Sequence, residues 1–167
     1  MVKIFPLIFI LLWSSAFITT KPIIDNSDPF TALAFRFFFV GLGFLSFSIY
    51  LKQSIIINKR YLIESIFSGV LFHGLYLGGV FYSISIGMPT GLAALIVTLQ
   101  PVLTNILSGP FLNEKITPKQ WIGGLLGFVG ALLVLGIDIG SGVPLLGLVA
   151  TLIALLSITF STIWQKK

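Results

Sequence analysis

The stretch Glu64-SIFSGVLFHGLYLGGVFYSISIGMPTGLAALIVTLQPVLTNILSGPFLN-Glu114 holds forty-nine residues between its two glutamates without a Lys, Arg, Asp or Glu. As one helix at ~1.5 Å per residue it would run roughly 74 Å, against a bilayer core ~30 Å thick. The chain therefore crosses a membrane, turns and crosses back. Gly87-Met88-Pro89 marks the turn, because Gly and Pro do not continue a helix. This hairpin places the chain among polytopic, all-α membrane proteins.

Working outward, five more apolar-to-polar boundaries appear, and the whole reads as six transmembrane helices. Their expected bounds are Ile4–Thr20, Pro29–Leu51, Leu62–Ile86, Thr90–Leu112, Trp121–Ile137 and Leu145–Trp164. Each approaches the ~20 residues that a span requires. Barrel strands are excluded, since the runs are about twice the ~10 residues of such a strand and do not alternate. The first run is too long for a signal peptide, and no small-x-small cleavage site follows it before Lys21. Connections are short and carry turn residues: Asp25 to Pro29, Asn113 to Pro118, and Gly140-Ser141-Gly142 before Pro144.

Composition agrees, with 56% hydrophobic and 9% charged residues against about 25% charged in soluble domains. The net charge of +5 is not a nucleic-acid signature, because the charges sit at the ends of apolar segments rather than in one patch. With no cysteine the chain has no disulfides, and its redox compartment stays unread. Eight cations fall on one side (Lys3, Lys52, Lys59, Arg60, Lys115, Lys119, Lys166 and Lys167), whereas Lys21 stands on the other with Asp25, Asp28 and Asp138. By the positive-inside rule the first side, with both termini, faces the cytoplasm of a bacterial inner membrane.

The order of motifs resembles the EamA repeat of the drug/metabolite transporter superfamily. The residues that carry the resemblance are Trp13 and Phe17 in "LLWSSAFITTKP", Arg36 in "FTALAFRFF", Pro101 midway along the fourth helix, and Glu114 before a Gly-rich fifth helix. It covers about Ile4 to Ile137. It implies a five-helix repeat over 1–139, followed over 140–167 by the opening helix of a second, inverted repeat. Members of this family have two such repeats, so the chain is expected to be part of a longer frame.

Transport requires polar side chains at membrane depth that face a cavity. Arg36 attracts an anionic group, or else snorkels to the interface. His73 binds solute or carries a proton, or else is a satisfied packing histidine. Tyr76 and Gly69 are expected on the same helix face as His73. Gln100, Thr104 and Ser108 form a four-spaced polar stripe, read as cavity wall or as interhelical glue. Pro101 beside it frees the Val97 carbonyl and marks a hinge, and Trp13 and Ser14 complete the expected wall. Gly74 with Gly78, and Gly123 with Gly127 and Ala131, read as close-contact rows. Glu114 reads as a loop ion pair with Lys115 or Lys119, or as a cap.

The expected function is a secondary transporter or exporter of small metabolites or drugs, acting by alternating access. Its expected partners are the lipid bilayer, a small-molecule substrate, and a second repeat or a homodimer; no nucleic acid and no cofactor are implied. A lone histidine makes no metal site, and no nucleotide motif suggests ATP drive. No nucleophile stands beside a base, so an enzyme is not expected. A small multidrug-type pump would require a carboxylate inside a span, and none is present. A scaffold or an inactive fragment is the remaining alternative.

Overall fold

The computed structural model describes residues 4–53, 58–113, 117–135 and 142–166. They form six helices and, among these residues, no strand: α1 Phe5–Asn26, α2 Pro29–Tyr50, α3 Lys59–Ser85, α4 Thr90–Leu112, α5 Pro118–Leu135 and α6 Leu145–Gln165. All but α5 are long and apolar enough to cross a membrane; α5 is described over 18 residues. Glu114, Lys115, Asp138 and the Gly140-Ser141 turn lie outside the described residues.

Local chemistry fixes the ends. The Asp28 carboxylate caps α2 by accepting from the Phe30 and Thr31 amides, with Pro29 in the first turn, where its missing donor costs nothing. Asn58 caps α3 through the Arg60 amide. The α3–α4 turn falls where the sequence placed it, and Gly87 takes φ +98°, a conformation that suits a residue without Cβ. Asn113 ends α4 in the left-handed region.

Two elements differ from expectation. First, α1 continues six residues past Thr20, through Pro22 to Asn26. Pro22 removes one donor, but Lys21 pairs with Asp25 at 3.4 Å along the same face, and Asn26 and Ser27 donate to the Pro22 and Ile23 carbonyls. Second, α3 widens to π geometry over Val70–Leu77, which rotates everything beyond it relative to a regular helix. In α4 the helix breaks at Thr98-Leu99, next to the Pro101 read as a hinge. Gln100 meets Thr162, while Phe111, eleven residues on, meets Phe160. The second half of α4 therefore lies across α6 rather than along it.

The centre of the bundle is α6. Half of its most apolar 18-residue window is buried, against 6% for α1 and for α2. It packs on α3 and α4, and the core joins Tyr76, Val80, Ile84, Met88, Ala93, Val97, Ala154 and Ile158. Among the described glycines the tightest site is Gly79, where a Cβ would stand 2.9 Å from the Ala150 carbonyl oxygen and 3.1 Å from the Ala154 Cβ. This corrects the expected rows: a Cβ at Gly74, Gly123 or Gly127 meets nothing within 4 Å, and at Gly78 it meets the Phe30 ring at 3.7 Å. The π segment shifts the contacting register of α3, so four-residue spacing no longer identifies it. Two buried hydroxyls on α6 bond within the helix, Thr151 donating to the Gly147 carbonyl and Thr159 to the Leu155 carbonyl, while buried Ser161 meets Ser68 of α3.

Candidate functional site

A cavity of about 700 Å³ opens between α1, α2 and the middle of α3, from Gly69 to Phe81. Its wall is mostly aromatic and aliphatic, and four polar side chains line it: Thr20 from α1, whose hydroxyl donates to the Ala16 carbonyl, Arg36 from α2, and His73 and Tyr76 from α3. Such a chamber, apolar with a few convergent polar groups, is the usual build of a small-molecule site.

The aromatic frame is continuous. Trp13 of α1 stacks on Tyr76 with ring centres 6.4 Å apart and meets Phe72 edge-on at 6.3 Å. The His73 imidazole stands edge-on to Phe37 at 4.9 Å and to Phe72 at 5.0 Å. Edge-to-face pairs of this kind favour one ring orientation, and His73 of α3 so packs against Phe37 of α2. Tyr76 is 3% exposed, while Arg36 and His73 are exposed to the cavity and the bundle surface. No ion pair is formed by Arg36 among the described residues, where the pairs are Lys21–Asp25 and Arg60–Glu64. Its guanidinium is thus a fixed positive charge at the edge of a low-dielectric chamber, where an anion interacts more strongly than in water.

The residues singled out in the sequence divide into two groups. Trp13, Arg36, His73 and Tyr76 converge on the chamber. Ser14, Gln100, Pro101 and Thr104 do not line it. The Ser14 hydroxyl donates to the Ile10 carbonyl at 2.8 Å within α1. Gln100 Nε2 donates to Thr162 on α6 at 3.2 Å and to Thr104 at 3.3 Å. Ser108, the third member of that stripe, is buried and donates to the Thr104 carbonyl. Pro101 stands directly after the break in α4.

Sequence reasoning did not single out Phe37, Phe44 and Phe81 as chamber wall. With sixteen Phe in the chain, nothing in the sequence separates those that line a cavity from those that face lipid. A smaller groove of about 420 Å³ between α3, α4 and α6 is lined by Phe67, Phe111, Phe160 and aliphatic neighbours, with Ser157 as its one small polar residue. It offers no charge to orient a solute. No group of His, Asp or Glu able to hold a metal occurs among the described residues.

The sequence profile of the EamA-like transporter family matches residues 3–136. A probable amino-acid metabolite efflux pump of Escherichia coli is 27% identical over 162 residues, covering 96% of this chain and 52% of the relative. An uncharacterised transporter, YvbV, of Bacillus subtilis is 31% identical over 107 residues, 64% of this chain and 33% of the relative. An S-adenosylmethionine uptake transporter of Rickettsia bellii is 32% identical over 106 residues, 64% of this chain and 35% of the relative. The chain thus spans about half the length, or less, of these relatives. No solved structure gives a significant match.

Proposed function

Because the chain belongs to the EamA-like transporter family, we propose that it carries small carboxylate-bearing metabolites across a bacterial inner membrane by alternating access, as a non-enzymatic secondary transporter. The chamber between α1, α2 and α3 holds the solute. The observation that carries this reading is Arg36, a cation presented to an aromatic chamber within a span. Ionisable groups at that depth are expensive and mark solute pathways. The relatives named for amino-acid metabolites and for S-adenosylmethionine point the same way, since both solute classes carry a carboxylate.

In this reading Arg36 meets the carboxylate while Trp13, Phe72 and Tyr76 cover the apolar part of the solute. His73 offers a ring nitrogen at the same wall. The chamber is closed by further helices, from a second repeat or from a second copy of the chain. The Lys59 end, with both termini, faces the cytoplasm.

The test is flux of a panel of labelled amino acids into proteoliposomes, with the chain alone and joined to the second half of a relative. A charge-assisted hydrogen bond contributes about 1.5–3 kcal/mol, so Arg36→Gln is expected to weaken transport roughly ten- to a hundredfold, with part of it kept by Arg36→Lys. A wild-type chain that moves none of the panel in either form overturns the reading.

A further inference from the structure

A second cavity, of about 1040 Å³, lies at the Lys59 end of the bundle between the start of α3 and the end of α6. Its wall is more polar than the chamber's: Arg60, Tyr61, Glu64, Ser65, Ser68 and Gln165 line it together with the Phe72 and Trp164 rings. The two charges are already paired, Arg60 Nε to Glu64 Oε1 at 2.9 Å. Its inner wall is fixed as well. The Ser68 and Ser161 hydroxyls are 3.0 Å apart, and Gln165 Nε2 donates to Ser68. What faces a solute there is a set of hydroxyl and amide groups, two aromatic rings and an ion pair that offers one charge of each sign, which suits a zwitterion.

Gly69, Phe72 and His73 line both this vestibule and the inner chamber. His73 is held between two phenyl rings. A Cβ built on Gly69 meets nothing within 4 Å, so a side chain can be added there without a clash.

We propose that the vestibule is a second, polar station for zwitterionic solutes, and that Gly69, Phe72 and His73 form the portal between it and the chamber. The proposal rests on the transport reading above for what passes through the portal. A solute at the Lys59 end sheds water against hydroxyls and amides first. It then passes the His73 ring, whose apolar flanks and polar nitrogens match the change from a polar wall to an aromatic one. Its carboxylate reaches Arg36 last.

The chain has no cysteine, so single thiols can be placed without removing any. Gly69→Cys puts one in the portal. Gly74→Cys is the control, since a Cβ there is equally unobstructed but Gly74 lines neither cavity. A charged, membrane-impermeant methanethiosulfonate is added to membranes holding each variant. Gly69→Cys is expected to be modified and Gly74→Cys spared, and modification of Gly69→Cys is expected to bring flux to background. Modification of Gly69→Cys is expected to slow in alanine and not in equal concentrations of acetate or methylammonium.

If Gly69→Cys is as unreactive as Gly74→Cys, or is fully modified with flux unchanged, the portal is wrong. Equal slowing by all three solutes overturns the class assigned to the vestibule. The two readings separate cleanly: a wild-type chain that transports while Gly69→Cys stays unmodified sinks the portal alone. A chain that transports nothing while Gly69→Cys is modified sinks the transport reading and leaves the portal standing.

Discussion

Asp28 shows how one side chain can be read forward from sequence to a measurement. It precedes Pro29 at the mouth of α2 and accepts from two backbone amides and the Thr31 hydroxyl. The Thr31 amide bond is the largest cause that holds its carboxyl below the ordinary value of 3.8. A carboxylate whose folded value is depressed stabilises the helix start at every pH above the unfolded value, and that contribution is lost as pH falls through the folded one. Amide exchange at Phe30 and Thr31 in Asp28→Asn is therefore expected to be insensitive to acid, whereas wild type loses protection in strong acid. Asp28→Ala is expected to lose it at all pH. Equal acid sensitivity in wild type and Asp28→Asn would show that the cap does not depend on the charge. At this scale the sequence is most legible for ionisable residues. Arg36 and His73 stand out because few charged or titratable groups fall inside the spans, and both face the chamber. The phenylalanines that frame them carry no such signal.

Elements are legible in their existence and misread in their rotation. The helix order and the α3–α4 turn follow from apolar run length, because a span must be about 20 residues whatever its partners. Which face of α3 meets α6 depends instead on the π segment at Val70–Leu77, a deviation from the regular period that no residue pattern announces. The packing glycine is therefore Gly79 rather than Gly74. Gly79→Leu forces its Cβ against the Ala150 carbonyl and is expected to cost about 1–3 kcal/mol, the range of an overpacked core, whereas Gly74→Leu is near neutral. Thermal unfolding in detergent measures both, and equal effects at the two positions would refute the register. The α4 stripe belongs to the same scale. Gln100 ties α4 to Thr162 of α6. Interhelical hydrogen bonds in membranes contribute about 0.6–1.7 kcal/mol, and Gln100→Leu is expected to lose that much. Thr162 keeps its own bond to the Ile158 carbonyl, so no orphaned hydroxyl inflates the loss. In a double-mutant cycle, zero coupling between Gln100→Leu and Thr162→Val would mean that the contact contributes nothing.

At the scale of the molecule, the sequence separates a five-helix repeat from a trailing sixth helix, while in the fold that sixth helix sits centrally between α3 and α4. Nothing in the residues of α6 alone announces its position. It reads as one more apolar span, and its four buried hydroxyl residues, Thr151, Ser157, Thr159 and Ser161, become informative only once their partners are known. Burial tells the helices apart. A helix among lipid tails gains no hydrophobic energy by meeting another, so association rests on close packing and hydrogen bonds. Those interactions concentrate on α6: the Gly79–Ala150 approach, the Ser68–Ser161–Gln165 cluster and the Gln100–Thr162 bond. By contrast, α1 and α2 contribute few buried residues. A chain ending before α6 is thus expected to insert its earlier spans and then fail to hold α3 against α4, eluting in detergent as aggregate where the whole chain elutes as one peak. A chain lacking α1 is expected to keep that peak and to lose the Trp13 wall of the chamber. Size-exclusion chromatography of the two truncations decides the matter: if loss of α6 leaves the peak intact and loss of α1 abolishes it, the centre of the bundle lies elsewhere.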